Sequence, residues 1–401
     1  MAKEAIVYLA FHEPRRLRLP PEPVLARGNL KAIRASLLDD EASEYYYRRW
    51  LDGVCQPYTR LLLTLVAEGV TFAVNLSGPL VHALANDERD TAARFLDVLQ
   101  HPSITVVCSE PKHSLSFYLD VGLFQRQMEK AREFLAERMG LVTNVAMAPH
   151  MCIDNEIYYA LGESGFEAVL ADGTRELLKT RGAGFLRKNG AGPVLCTRIG
   201  DLSRQLAAVL DAPPGMHFEF RANDIARQVV EIPGDVALLG WEAHLSGDPI
   251  DDDRLLNALW QLVKELRARG ATFSTMRDIL DRLGSGCSVL PLPAIPAVSS
   301  EIGSIDFLLG HPVQQRVFGL MSQACSMAKL TENEDVAEIA LELAQLDVLE
   351  LMGRLLISNG HRQEPFYLTP AQWSRLGVEG VLGAIPKTYA TFIQDIAKSF
   401  L

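Results

Sequence analysis

The stretch VAMAPHMCIDNEIYYALGESGFEAVLADG, residues 145–173, contains two short apolar runs separated by a helical pattern. The first run ends at Pro149, and the second, EAVLADG at 167–173, is again typical of a β-strand. Short apolar runs that alternate with helices indicate strands of a parallel sheet covered by helices on its faces. The stretch therefore predicts a strand–helix–strand unit and places His150 directly after its first strand.

The same alternation extends over residues 1–285. Strand-like runs lie at 5–11, 70–76, 104–110, 144–150, 167–173, 193–199 and 235–243, with helical patterns such as 121–140 and 251–270 between them. Seven such strands predict an α/β fold, either a barrel or an open doubly wound sheet. No Gly-x-Gly-x-x-Gly follows the first strand, so a Rossmann dinucleotide site has no support, and no cofactor is expected.

Beyond residue 283 the pattern changes. The segment GSGCSVLPLPAIPAVSSEIGS, 284–304, is dense in Pro, Gly and Ser, and only helical patterns follow it. Such composition is typical of a linker. The sequence therefore predicts an α/β domain at 1–285, a Pro/Ser-rich linker at 286–303 and a helical C-terminal subdomain at 304–401.

Composition narrows the classes of partner. The chain has 401 residues, 48% hydrophobic and 22% charged, with a formal net charge of −11. No basic face suited to nucleic acid is evident, and no run approaches the roughly 18 apolar residues of a membrane span. The N-terminus lacks the pattern of a signal peptide. Six scattered cysteines without a Cys-x-x-Cys pair predict reduced thiols, so we expect a cytoplasmic protein.

Several segments, taken in order, resemble glycoside hydrolase family 57, the family of α-amylases and 4-α-glucanotransferases. IVYLAFHEPRRL (6–17) is similar to its first motif, a strand ending in His-Gln-Pro, with Glu13 here in place of Gln. The stretch 143–173 resembles the third motif and GDVALLGWEAHLSG (234–247) the fourth. Further similar segments are YTRLLLTLVAEGVTFAVNLSGPLVHAL (58–84), EPKHSLSFYLD (110–120), IDFLLGHPVQQRVF (305–318) and FYLTPAQW (366–373). The resemblance implies an irregular (β/α)7-type barrel followed by a helical C-terminal subdomain.

The resemblance also assigns two catalytic positions, and neither holds a carboxylate here. The third motif supplies a glutamate nucleophile where this chain has His150, and the fourth an aspartate acid/base where it has Gly240. Retaining glycosidases need two carboxyl groups roughly 5–5.5 Å apart. A glycine can neither attack nor transfer a proton, and histidine is not the usual glycosyl acceptor. The resemblance therefore implies a pseudoenzyme.

Polar residues nevertheless follow the predicted strand ends, where barrel enzymes gather their chemistry. The catalytic candidates are His150, Glu242 and Asp154; the substrate-binding candidates are His12, Glu13, His113, Trp241 and His244; and the metal candidates are His12, His150 and Glu242. His nitrogens and a carboxylate are ordinary ligands of a divalent ion such as Zn²⁺. A carboxylate beside apolar strand residues must be paired if buried, so Glu242 carries the strongest individual signal.

Three functions stay open. The chain is predicted to be a noncatalytic α-glucan-binding, regulatory or scaffold protein. Alternatively, it is a metal-dependent hydrolase built on strand-end histidines, or an α-glucan hydrolase or transferase using displaced acids such as Asp154, Asp120 or Asp172. An α-glucan or oligosaccharide is the expected partner, and a homo-oligomer or a partner enzyme is left open.

Overall fold

The computed structural model describes residues 3–22, 28–210, 221–243, 252–300, 303–357 and 367–400. Within these ranges the chain forms ten strands. They are β1 (Glu4–Phe11), β2 (Phe72–Leu76), β3 (Ile104–Val107), β4 (Val145–Ala146), β5 (Ala168–Asp172), β6 (Arg187–Lys188), β7 (Val194–Arg198), β8 (Val236–Ala243), β9 (Thr272–Phe273) and β10 (Ser288–Val289).

Helices follow most of the strands. They are α1 (Leu30–Leu37), α2 (Asp40–Trp50), α3 (Gln56–Ala67), α4 (Gly78–Ala85), α5 (Asp90–Leu99), α6 (Ser116–Leu119), α7 (Val121–Met139), α8 (Asn155–Glu163), α9 (Arg175–Leu178), α10 (Gly200–Leu210), α11 (Ala222–Glu231), α12 (Asp252–Ala268), α13 (Met276–Leu283), α14 (Asp306–Leu309), α15 (Pro312–Leu330), α16 (Glu334–Leu343), α17 (Asp347–Ile357) and α18 (Pro370–Ser399). Among the described residues, none of these helices has the length and apolar content required to cross a membrane.

Seven strands close into a parallel barrel in the order β1-β2-β3-β4-β5-β7-β8. Parallel pairing joins β8 to β1, β1 to β2, β2 to β3, β4 to β5, and β5 to β7. Two seams complete the ring: Cys108, just after β3, bridges Ala146 of β4, and Arg198 of β7 pairs with Leu238 of β8. The predicted (β/α)7-type barrel is confirmed, and its strands are the seven predicted runs.

The barrel interior is filled by apolar side chains from alternate positions of the strands. Successive residues of a strand point to opposite faces, so every second side chain shares one face. The interior core accordingly takes Ile6 and Tyr8 from β1, Ala168 and Leu170 from β5, Val194 and Cys196 from β7, and Val236 and Leu238 from β8. The outward faces are also buried beneath helices, which is why these runs are apolar throughout.

The chain divides into two compact units whose segments interleave along the sequence. The first unit contains residues 1–12, 49–111 and 124–304, and it holds the barrel. The second contains residues 13–48, 112–123 and 305–401. Its described residues after 305 form helices and no strands, in agreement with a helical C-terminal part. Two segments of the region predicted as the barrel domain, 13–48 and 112–123, thus belong to the second unit.

The described residues of the segment predicted as a linker (286–303), which are 286–300 and 303, pack on the barrel within the first unit. Leu290 and Val298 are fully buried, and Ala297 forms an antiparallel bridge with Ile153 beyond β4. Its Pro and Ser content allows an irregular path, while its apolar residues, such as Leu290 and Val298, supply the burial that holds it in place. The composition identified a non-helical connection, but not its packing.

Candidate active site

The carboxyl end of the barrel carries polar residues where the interior alternation continues. On β1, β5, β7 and β8, the next inward-facing residues after the apolar core are Ala10, Asp172, Arg198 and Gly240. Two residues further along the chain, the same alternation reaches His12 after β1 and Glu242 on β8. Strand register places Tyr8 opposite Gly240 and Ala10 opposite Glu242. The candidate site therefore begins where the apolar interior ends.

Asp172 and Arg198 form a buried ion pair at this end. They are opposite one another on β5 and β7, and Arg198 Nε donates to Asp172 Oδ1 at 3.0 Å. Arg198 also donates to Ser299 Oγ at 2.6 Å and to the Gly240 carbonyl at 3.4 Å. Burial alone would lower the pKa of Arg198, but the charge and hydrogen bond of Asp172 outweigh burial and raise it. Arg198 is therefore permanently charged, and its hydrogen bonds connect β7 to β5, to β8 and to Ser299.

Tyr8 lies in the same electrostatic environment. Its hydroxyl donates to Met147 Sδ at 3.2 Å. Burial raises the pKa of the Tyr8 phenol; the charge of Arg198 opposes this rise, and those of Glu242 and Asp172 reinforce it. Tyr8 consequently stays neutral over the physiological pH range. Glu242 is half-buried, and its charge acts on both Tyr8 and Arg198.

Gly240 has no room for any side chain. A Cβ atom there would lie 1.8 Å from the Tyr8 carbonyl oxygen and 2.4 Å from the carbonyl carbon, both of them backbone atoms of the adjoining strand. The Gly240 N–H donates to Ser203 Oγ at 3.1 Å, and its carbonyl accepts from Arg198. At the position that the motifs assign to the acid/base, the main chain of Tyr8 thus fills the space that a side chain would need.

His150 adopts a left-handed backbone conformation in the short 3-10 turn Pro149–Met151 that follows β4. Its φ is 53° and its ψ is 28°, and Met151 also has a positive φ of 51°. Non-glycine residues rarely adopt this region, and such strain is concentrated at functional sites. Met151 is buried in the barrel core, and the His150 carbonyl accepts from the Ser299 N–H at 2.8 Å. These contacts hold the strained turn.

Two other predicted residues of the barrel unit have clear packing roles. Trp241 is 2% exposed, and its indole N–H donates to the Tyr58 hydroxyl at 2.8 Å. A ring buried in this way cannot stack on a sugar without moving. Asp154 caps α8, because its Oδ1 accepts from the Ile157 N–H at 2.8 Å. Burial is the main cause of the raised pKa of Asp154.

The remaining candidates are divided between the two units. His12 follows β1 in the barrel unit, so the chain order of parallel strands puts it at the same barrel end as His150 and Glu242. A shared cavity or a metal site for these three stays a prediction. Glu13 and His113 belong to the second unit, where Glu13 pairs with buried Arg16, and His113 Nδ1 lies 3.1 Å from Asp347 Oδ2. His244 lies outside the described residues.

Sequence reasoning missed Arg198 and Ser299. A signal for Arg198 existed, because the apolar run PVLCTRI at 193–199 carries a cation at the inward-facing position that follows Cys196. A cation there requires a carboxylate, and Asp172 ends the preceding barrel strand. Ser299 had no such signal, since it lies in an irregular segment whose contacts are long-range.

Comparisons with known proteins agree with this architecture. The model of glycosyl hydrolase family 57 matches residues 9–287. A structure of a GH57-type branching enzyme from Pyrococcus horikoshii is similar at 12% identity, covering 100% of this chain and 97% of that chain with a TM-score of 0.64. A GH57 branching enzyme from Thermococcus kodakaraensis matches at 11% identity, covering 88% and 86%, with a TM-score of 0.60.

The 4-alpha-glucanotransferase from Thermococcus litoralis is also similar, at 14% identity and a TM-score of 0.57, covering 87% of this chain. The chain spans only 56% of the length of that enzyme. No curated protein matches significantly. At these identities the structural likenesses establish the fold alone. The family match, which covers more than half of the residues, goes further: this chain belongs to glycosyl hydrolase family 57.

Proposed function

We propose that this protein binds α-glucan or α-linked oligosaccharides at the carboxyl end of its barrel and does not cleave them. Membership of a carbohydrate-active family supports the ligand class. The activities for which similar structures are named, 4-alpha-glucanotransferase and branching enzyme, favour the same class. The proposal rests most directly on Gly240, where the backbone of Tyr8 leaves no space for a general acid.

The absence of a side chain at Gly240 affects the proton transfer that glycoside cleavage requires. Protonation of the leaving oxygen by a positioned acid contributes roughly 10²–10⁴ in rate. Retention of configuration also requires a carboxylate nucleophile, and His150 occupies the position that the third motif assigns to it. Loss of both groups supports a binding role over turnover.

The displaced acids already have other partners. Asp172 is paired with Arg198, and Asp154 caps α8. Asp120 in the second unit accepts from the Leu123 N–H at 3.0 Å and lies 3.4 Å from Lys329 Nζ. Using any of them as a nucleophile would cost the contact it makes. Glu242 is the half-buried carboxylate at the barrel end, and a single carboxylate does not complete the pair.

The groups at the barrel end suit the recognition of sugar hydroxyls. Glu242 offers charged acceptors, and the half-buried imidazole of His150 can donate and accept. The six cysteines are free, as expected for a reducing compartment, so we propose the cytoplasm as the location. A regulatory form of this proposal would involve a partner enzyme or a second copy of the chain.

The test is calorimetric titration of purified protein with maltoheptaose, combined with chromatography of the sugar after long incubation. We expect saturable binding and an unchanged sugar profile. Glu242→Gln should weaken binding several-fold, because hydrogen bonds to a charged acceptor are roughly twice as strong as neutral ones. Glu137→Gln, on the exposed face of α7, is the matched control and should bind as the wild type does.

Three results would contradict the proposal. Absence of maltoheptaose binding would show that α-glucans are not the ligand. Turnover that persists in the presence of a chelator would point to displaced acids such as Asp154. Turnover abolished by the chelator and restored by Zn²⁺ would instead favour a metal centre built on His12, His150 and Glu242.

A further inference from the structure

Arg187 is a buried cation with no carboxylate partner among the described residues. It is the first residue of β6, and it is 5% exposed. Its Nη1 donates to Ser288 Oγ at 2.9 Å and its Nη2 to the Gly182 carbonyl at 3.0 Å. The guanidinium also lies 5.3 Å from the Phe185 ring centroid. Across the described ranges, no acidic side chain pairs with Arg187, and its Nε has no hydrogen-bond acceptor.

Such an arrangement is energetically unfavourable. Buried charges are normally paired, because neutral acceptors do not replace the solvation lost on burial. Burial first, and then the like charge of Arg181, lower the pKa of Arg187. Arg198 shows the opposite situation in the same unit, because the Asp172 carboxylate raises its pKa. Within the part of the chain that the structure describes, no negative side chain therefore compensates the charge of Arg187.

The hydrogen-bond donors near Arg187, which are Arg181 and the Ser288 hydroxyl, lie near the amino-terminal end of the barrel. The Gly184 carbonyl accepts from the N–H of Val236, the first residue of β8, and Arg187 pairs with Leu195 near the start of β7. Arg187 therefore lies near the amino-terminal ends of these strands, whereas Glu242 lies near the carboxyl end of β8. Arg181 is exposed and lies three residues after the end of α9, and Ser288 is an exposed residue of β10. The Ser288 hydroxyl accepts from Arg187 and retains its own proton to donate.

We propose that Arg187, Arg181 and the Ser288 hydroxyl form a binding site for a phosphate group at the amino-terminal end of the barrel. A phosphate dianion offsets the two like charges, and the planar guanidinium fork matches its oxygens. The phosphate comes either from inorganic phosphate or from a sugar phosphate ester. The site is independent of glucan binding at the opposite end, and no covalent step is involved.

The first experiment measures thermal unfolding against phosphate concentration, with chloride balancing the ionic strength. We expect the wild-type midpoint to rise on the order of 2 °C for each tenfold increase of phosphate above its dissociation constant. Arg187→Met should abolish this rise, and it should not lower the midpoint without phosphate because it removes an unpaired buried charge. Arg277→Met, at an exposed position of α13, should respond as the wild type does.

Arg181→Met provides a second variant whose folding is not at risk, because Arg181 is exposed. It should weaken phosphate binding about tenfold in a direct calorimetric titration, as expected for loss of one charge-assisted contact. Titrations of the wild type with inorganic phosphate and with glucose 1-phosphate identify the source. Tighter binding of the ester indicates a sugar phosphate ligand, and tighter binding of the free ion indicates inorganic phosphate.

The proposal is overturned if chloride at matched ionic strength stabilises the wild type as much as phosphate does. It is equally overturned if Arg181→Met and Arg187→Met keep the phosphate response of Arg277→Met. Maltoheptaose binding is measured separately. A negative phosphate result therefore does not contradict the proposed glucan binding, and a negative maltoheptaose result does not contradict the phosphate site.

Discussion

At the residue scale, Gly240 leaves no space for a side chain between β1 and β8. At Gly240 the two strands approach so closely that a Cβ atom would meet the Tyr8 carbonyl, and no flexible side chain is available to move aside. The obvious repair, Gly240→Asp together with His150→Glu, is therefore expected to disrupt β1 and β8 before it restores any turnover. In the proposed function, the absence of an acid at this position therefore follows from the main-chain geometry as well as from the residue type.

The corresponding stability prediction uses Gly240→Ala. We expect it to lower the free energy of unfolding by about 3 kcal/mol or more, because overpacking against backbone cannot be relieved by a rotamer change. The control is Gly319→Ala at an exposed position of α15, where a Cβ meets nothing within 4 Å and should stabilise by roughly 0.5–1 kcal/mol. Urea unfolding of both variants makes the comparison, and equal effects would contradict the close approach.

At the level of elements, α8 depends on a buried cap with a perturbed pKa. Asp154 accepts from the Ile157 N–H, and burial raises its pKa although that hydrogen bond opposes the rise. The folded state thus holds the Asp154 proton more tightly than the unfolded state does. Between the ordinary and the raised pKa, this group makes the protein less stable as the pH increases.

Asp154→Asn should keep the cap and remove that decline. We expect it to be at least as stable as the wild type at pH 7, whereas Asp154→Ala should lose about 1 kcal/mol with the cap acceptor. Urea unfolding between pH 3.5 and 7 measures both variants. If the asparagine variant loses as much stability as the alanine variant, the carboxylate charge rather than the cap holds α8.

At the scale of the molecule, the barrel is closed by a narrow seam. In the described residues β7 and β8 share one register pair, Arg198 with Leu238, and the Ile199 N–H donates to the Leu238 carbonyl. The hydrogen bond from Arg198 to the Gly240 carbonyl reinforces this junction, while Asp172 neutralises the arginine from β5.

Arg198→Met is therefore expected to cost about 3–5 kcal/mol, since it leaves the Asp172 carboxylate buried without its principal partner. Adding Asp172→Asn should recover a large part of that loss, because the unpaired charge is then gone. A double-mutant cycle by chemical denaturation measures the coupling. A single variant that unfolds like the wild type would show that Arg198 does not hold the seam.

Much of the fold was predictable because its signals are local. The lengths and apolar character of runs such as 168–172 and 236–243 identify buried parallel strands, and seven of them form the barrel. The residue at each motif position is likewise a local feature, so the sequence predicts that His150 and Gly240 depart from the family pattern. Neither inference needs to know which strands become neighbours.

The tertiary structure alone decided the pairings. Whether Asp172 is a displaced acid or the partner of Arg198, 26 residues away, depends on β5 and β7 becoming neighbours. Whether Trp241 is a platform or core depends on Tyr58 lying beside it, and the packing of the supposed linker depends on contacts such as Ala297 with Ile153. A residue's type limits the bonds it can make, but burial and charge balance are set by groups distant in sequence that folding brings into contact.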